Sequence, residues 1–186
     1  GVFNVLNGDK RIVDLLIANE NVSSISFVGS TPVAKYIYEQ SAKNRKRVQS
    51  LGGAKNHLVV MPDANIDQAV DGIMGAAFGS AGERCMAVSV AVAVGSIADE
   101  LTDKIHKKAQ TLKVAPWTDN DAQMGPVISK EHKEKIENYI EKGIEEGADL
   151  ILDGRNINIQ GYEHGYFIGP TIFDKVNNSM KIYNEE

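Results

Sequence analysis

The chain has 186 residues, with 20 Lys and Arg against 25 Asp and Glu, a formal net charge of −5. That balance excludes a general binder of nucleic acid or of anionic membrane, since either needs a basic face. Hydrophobic residues make up 42%, enough for a globular chain to bury its own core, and the single cysteine excludes a disulfide framework and a cysteine-rich zinc site.

No apolar run reaches the roughly 18 residues of a membrane-spanning helix. Residues 1–5 lack the basic head and cleavage site of a signal peptide. They read as the middle of a strand, and residues 183–186 carry no stop signal, so both ends are expected to be cut.

Strand and helix patterns alternate from the start. Residues 2–6 read as a short apolar strand closed by Asn7-Gly8. Asp9 can cap a helix with Ile12, Val13, Leu16 and Ile17 on one face. Residues 24–28 are the next strand. Thr31 as N-cap with Pro32 behind it predicts a helix carrying Val33, Tyr36 and Ile37. The basic stretch 43–47 that follows reads as a solvated helix end rather than a phosphate patch.

Residues 50–54 predict a glycine-marked turn, and residues 57–61 a buried strand. Asp63 and Asn65 offer caps for a helix through Ile66, Ala69, Val70, Ile73, Met74 and Ala77, which Gly79-Ser80-Ala81-Gly82 ends. Residues 88–94 predict a strand, 97–112 and 129–147 amphipathic helices, and 150–152 and 167–173 later strands. The expected boundary lies near residue 50. Residues 1–50 would be part of a nucleotide-type α/β unit, and residues 51–186 a second α/β domain.

Two places could carry chemistry. A lone cysteine such as Cys85 is commonly a small buried hydrophobe. Here Gly79 and Gly82 mark a sharp exit from an apolar helix, which suits a backbone that approaches a ligand closely. Arg84 is adjacent, and a cation near the sulfur favours thiolate. The second place is Gly29-Ser30-Thr31-Pro32, where a strand opens into a helix and presents N–H groups to an anion. It fits neither standard phosphate-binding fingerprint, and on the segment alone an ordinary strand-to-helix turn is the better reading. His57, His106, His132 and His164 have no metal-site spacing, so no metal is assigned.

Taken in order, the segments resemble the aldehyde dehydrogenase superfamily. They are Phe3-Asn4-Val5-Leu6-Asn7-Gly8, Ile25-Ser26-Phe27-Val28-Gly29-Ser30-Thr31, Leu51-Gly52-Gly53, Ala76-Ala77-Phe78, Gly82-Glu83-Arg84-Cys85, Met124-Gly125-Pro126-Val127-Ile128 and Gly165-Tyr166-Phe167-Ile168-Gly169-Pro170-Thr171. They cover nearly the whole chain. Two departures point to a branch. Hydrolytic members carry a Glu directly before Leu-Gly-Gly, where Ser50 stands here, and the usual Gly-Gln-x-Cys is Gly82-Glu83-Arg84-Cys85. With Ala54-Lys55-Asn56-His57 and Cys85-Met86-Ala87, the chain looks like the methylmalonate-semialdehyde dehydrogenase branch.

The resemblance implies an α/β fold: part of an NAD-binding Rossmann-like unit, then most of a catalytic domain. It implies an NAD-dependent enzyme that transfers the acyl group to coenzyme A, with decarboxylation. It makes Cys85 the nucleophile; Arg84 reads either as the holder of a small semialdehyde acid's carboxylate, which a guanidinium binds in bidentate fashion, or as a structural Arg on the turn. Gly29, Ser30, Leu51, Gly52 and Glu186 fall to the cofactor. Intact members are longer, so the chain is expected to be an internal piece of a homo-oligomer, cytoplasmic or, in a eukaryote, of the mitochondrial matrix. The competing readings are a hydrolytic aldehyde dehydrogenase and a non-catalytic relative with a binding or structural role.

Overall fold

The fold comes from a computed structural model, which describes residues 1–185. Glu186 lies outside the described residues. Helices and strands alternate in it, an α/β arrangement, and two compact units divide after Ala54.

In the first unit, Asp9 caps helix α1 (Lys10–Ala18) by accepting from the Arg11 N–H at 3.0 Å. Strands β1 (Ser24–Val28) and β2 (Arg47–Leu51) pair in parallel, from Ser24 opposite Arg47 to Val28 opposite Leu51. Parallel neighbours cannot be joined by a tight turn. Helix α2 (Thr31–Lys43) makes the crossover and packs on both strands. Alternate strand residues, Ile25, Phe27, Val48 and Ser50, are the more covered ones, and Ile17, Ala34 and Ile37 are buried. Tyr36 donates its hydroxyl to Asp14 at 2.8 Å and accepts from Lys10 at 2.7 Å, tying α1 to α2.

Three expectations need correction here. Residues 2–6 form no strand: Val2, Phe3, Val5 and Leu6 are exposed, and among the described residues no strand pairs with them. An extended segment without a ladder partner leaves its backbone groups to water. Ser50 and Leu51 close β2 rather than begin a turn. The N-cap of α2 is Ser30, not Thr31, whose hydroxyl instead accepts from the Gly53 N–H at 3.1 Å. Of the basic stretch only Lys43 belongs to the helix end: Asn44 and Arg45 turn the chain, Lys46 donates to the carbonyls of Asn19 and Val22, and Arg47 begins β2.

The second unit starts with another parallel pair, β3 (Asn56–Val60) and β4 (Val88–Ala93). Helix α3 (Ile66–Phe78) is its crossover, capped by Asn65, which accepts from the Gln68 N–H at 3.1 Å. Helix α4 (Ala98–Gln110) packs beside α3. Val60, Val70, Ile73, Met74, Leu101, Ile105 and Ala109 form the core between these elements. The strand expected to be buried is covered on one face only: His57 is exposed, and Val59 is 57% exposed.

Helix α5 (Lys130–Glu145) begins at Ser129, whose side chain accepts from the His132 N–H at 3.2 Å. Strands β5 (Asp149–Leu152) and β6 (Ile172–Asp174) are antiparallel, and α6 (Lys181–Asn184) follows. Met124, Val127, Ile140 and Ile168 make a second core cluster. The strand expected over 167–173 shrinks to β6. Phe167, Ile168 and Gly169 are buried in succession, so their pattern is not the alternation of a half-buried strand, and Pro170 has no N–H to donate. Gly169 instead donates to Gly154 at 2.7 Å, where a Cβ on Gly154 would come within 1.9 Å of the Gly169 oxygen. Among the described residues no helix is long and apolar enough to cross a membrane.

Candidate active site

Helix α3 runs into a tight turn, Gly79–Gly82, before β4 can begin. Ser80 and Ala81 both have φ of 53°, and Gly82 has φ of 76°. The left-handed region costs an L-residue roughly 1–2 kcal/mol, so this turn holds strain at Ser80 and Ala81 that Gly82 escapes. A Cβ on Gly82 would also lie 3.1 Å from the Ala77 oxygen. The Glu83 N–H closes this turn onto the Ser80 carbonyl at 3.0 Å. The Ala87 N–H closes a second one onto Arg84 at 2.9 Å. Cys85 stands exposed inside that second turn.

The side chain of Asn56 reaches this turn from the start of β3. Its Nδ2 donates to the Cys85 carbonyl at 3.0 Å and to the Ala87 carbonyl at 2.9 Å. The Cys85 N–H makes no hydrogen bond among the described residues. It is therefore available to an oxyanion formed beside the sulfur.

Arg84 is exposed, and its Nε donates to the Ser80 hydroxyl at 3.2 Å. The guanidinium lies against Gly79, where a Cβ would meet Nη1 at 3.1 Å. Nη1 and Nη2 have no hydrogen bond or ion pair among the described residues. Arg84 thus braces the turn through Nε and leaves the four N–H donors of Nη1 and Nη2 without a partner among the described residues. Glu83 does not pair with Arg84: its carboxylate faces His132, 3.8 Å from Nε2.

In the first unit, Gly29, Ser30, Leu51 and Gly52 come together where the carboxyl ends of β1 and β2 meet the start of α2. Gly29 is not the free donor that the sequence suggested, because its N–H is bonded to the Leu51 carbonyl at 3.1 Å. Ser30 is exposed and its hydroxyl makes no capping bond. A Cβ on Gly52 would lie 2.7 Å from the Thr31 hydroxyl and 3.2 Å from the Thr31 Cα. Gly52 therefore lets the end of β2 close onto α2. Ser50 donates its hydroxyl to the Ala34 carbonyl at 2.6 Å, which ties β2 to α2.

Thr31 and Asn56 organise these places in roles the sequence did not assign them: Thr31 reads there as an N-cap and Asn56 only as part of the branch pattern. Among the described residues no group of three His, Cys, Asp or Glu side chains could hold a metal ion. His57 is used otherwise. Its Nδ1 lies 2.9 Å from the Lys55 carbonyl, which can only accept, so Nδ1 carries the proton and Nε2 takes a bond from the Tyr183 hydroxyl at 3.0 Å.

The sequence pattern of the aldehyde dehydrogenase family matches residues 1–186. The chain is 50% identical to a malonate-semialdehyde dehydrogenase of Pseudomonas aeruginosa, over all of this chain and 38% of that protein. It is likewise 50% identical to one of Halalkalibacterium halodurans, with the same shares covered. Among solved structures, it superposes with a TM-score of 0.94 on methylmalonate-semialdehyde dehydrogenase from Oceanimonas doudoroffii, at 51% identity, over 97% of this chain and 37% of that one. A Sinorhizobium meliloti structure, assigned as a methylmalonate-semialdehyde dehydrogenase and complexed with NAD, gives 0.95 at 50% identity over 97% and 37%. The chain thus spans 38% of the length of these curated relatives.

The strained turn makes a testable point. Gly82→Ala in the full-length protein must move a backbone that has φ of 76° and 3.1 Å of clearance from Ala77. Alkylation of Cys85 by iodoacetamide is expected to change about threefold or more, since the added cost of roughly 1–2 kcal/mol displaces the turn. An unchanged rate would show that the turn does not set the exposure of the thiol.

Proposed function

We propose a function from one premise: the chain belongs to the aldehyde dehydrogenase family. The full-length protein oxidises malonate or methylmalonate semialdehyde with NAD and passes the acyl group to coenzyme A, with decarboxylation to acetyl- or propionyl-CoA. The observation that carries this reading is Cys85, the single cysteine, exposed in a glycine-bounded turn with its own N–H unused. The names of the relatives at 50% identity support the substrate class.

In this reading the Cys85 thiolate adds to the aldehyde carbon, forming a C–S bond and placing the carbonyl electron pair on oxygen. The Cys85 N–H donates to that oxyanion. NAD, when bound, supplies the acceptor for the hydride on the same carbon, and reforming the carbonyl leaves a thioester on Cys85. A thiol suits both tasks, because it adds readily and later leaves readily.

The residues of the first unit fit such a cofactor. The carboxyl ends of two parallel strands and a helix N-terminus are a usual place for a dinucleotide. Ser30 offers its uncommitted hydroxyl there, Leu51 is exposed beside it, and Gly29 and Gly52 let the strand ends pack closely on Phe27 and Thr31 at this place. Glu186, outside the described residues, would take the ribose. Residues 1–50 are then the end of the NAD-binding domain, and residues 51–186 the start of the catalytic domain.

Release of the thioester separates the branches. Water needs a general base, whose help is typically worth about 100- to 10,000-fold. Ser50 holds the place of that base, and its hydroxyl is committed to Ala34. A coenzyme A thiol is already partly thiolate and needs less help. It attacks the acyl carbon and expels the Cys85 thiolate. The two free Nη groups of Arg84 would hold the substrate carboxylate, as a guanidinium fork does well. The enzyme in this reading is a homo-oligomer of the cytoplasm, or of the mitochondrial matrix in a eukaryote, where a reducing milieu keeps the Cys85 thiol free.

The test is NADH formation by the full-length protein with malonate semialdehyde, with and without coenzyme A. Strong dependence on coenzyme A is expected, and Cys85→Ser should abolish turnover while NAD still binds, because an alcohol is far less ionised than a thiol. Turnover without coenzyme A at the same rate would make the enzyme hydrolytic. No turnover in either condition, with NAD bound, would favour a non-catalytic relative.

Ser50→Glu should raise NADH formation in the absence of coenzyme A, by placing a carboxylate where a general base belongs. A folded variant with no such rise would remove the argument from Ser50. Arg84→Lys should weaken turnover of the semialdehyde acids more than that of propanal, because Lys lacks the planar fork. Equal losses on both substrates would assign Arg84 to the turn alone.

A further inference from the structure

The two hydrogen bonds from Asn56 hold the only cysteine in place, and the β3–β4 ladder explains why a side chain has to make them. The register pairs His57 with Val90 and Asn56 with Val88, so it shifts between the first two positions of β3. Ser89 is the extra residue on β4. A bulge of this kind interrupts the regular ladder. Beyond it, the chain from Cys85 to Ala87 lies outside β4. The Asn56 amide bridges this place, giving both of its protons to the backbone, one to Cys85 and one to Ala87. These carbonyls stand on either side of Met86, whose side chain is 79% exposed. The turn upstream offers no substitute hold, since its closures run from Glu83 to Ser80 and from Ala87 to Arg84 and leave the Cys85 carbonyl to Asn56.

We infer that Asn56 is a positioning residue for the nucleophile: by donating to the Cys85 and Ala87 carbonyls it fixes the peptide planes around Cys85, and so the direction of its sulfur and its free N–H. The inference rests on the reading of Cys85 as the nucleophile. Asn56 touches no reacting atom. It acts through the backbone, holding the sulfur and the oxyanion donor in one geometry while the upstream turn stays strained. A nucleophile displaced by about 1 Å can lose about 100-fold in rate, so the orientation held here is of catalytic size.

Donation, not shape, is the property at stake, and one pair of variants separates them. Asn56→Asp keeps the outline of the side chain but presents only acceptor oxygens to two carbonyls, whereas Asn56→Ala removes both the shape and the bonds. In the full-length protein, both variants are expected to lower kcat for malonate semialdehyde about 10- to 100-fold with KM and NAD affinity near those of the parent. Asn56→Asp should be at least as impaired as Asn56→Ala. Alkylation of Cys85 by iodoacetamide, read by mass spectrometry without substrate or coenzyme A, should change about threefold or more in both. An Asp variant with the parent's kcat and alkylation rate overturns the inference, because it would show that Asn56 serves only as packing. If the Asp variant does not fold, a folded Asn56→Ala with unchanged kcat and alkylation rate overturns it equally. The alkylation arm needs no turnover, so it judges Asn56 even if the parent protein proves inactive on the semialdehyde.

Discussion

A parallel pair of strands must be joined by a crossover, and this one constraint decides where the exposed backbone of the chain falls. In the first unit the crossover helix α2 begins immediately after β1, so Gly29 and Ser30 lie at the strand end, beside the end of β2. In the second unit the crossover helix α3 ends before β4 can start, and residues 79–87 fill the interval. The first place presents a helix N-terminus, suited to an anion. The second presents a helix end and two turns, with a thiol between them. Both chemically distinctive places of the chain are by-products of the same topological need.

The helices were legible in the sequence because their signals are local. Asp9, Asn65 and Ser129 each accept a bond from an N–H two or three residues ahead, as cap chemistry requires. The strands were less legible. β2 reads Arg-Val-Gln-Ser-Leu, too polar to stand out, and its identity depends on β1 lying alongside. Residues 167–171 have the composition of a strand, yet three consecutive buried residues and a proline keep them out of the ladder. In the candidate site, Cys85 was marked by the glycines before it. Asn56 was not, because its partners are carbonyls 29 and 31 residues away, and a backbone acceptor leaves no trace in residue identity.

The same side chains also separate the readings that adjacency alone left open. Glu83 and Arg84 look like a pair on paper. In the fold they diverge, Glu83 toward His132 and Arg84 back over Gly79. Ser50 is similarly occupied, since its proton goes to a carbonyl of α2. In the proposed reading the acyl group passes to a nucleophile that brings its own ionised form, as a thiol does and water does not.

Strain and restraint meet at one turn. Ser80 and Ala81 occupy the left-handed region without being glycine, which persists only where surrounding contacts over-determine it. The contacts that hold it include the packing of Ala81 on the Met124, Val127, Ile140 and Ile168 cluster, the closure from Glu83 onto Ser80, the Arg84 bond to the Ser80 hydroxyl, and the two Asn56 bonds beyond. In the proposed reading Arg84 both braces the turn and, through Nη1 and Nη2, meets the substrate carboxylate. A substrate carboxylate that drew the guanidinium forward would loosen the Nε bond to Ser80 as it bound. The bonds from Asn56 do not pass through Arg84, so they keep the Cys85 peptide oriented while that happens. This division of labour, one side chain free to respond and one fixed, lets an exposed thiol on a strained loop keep a defined direction.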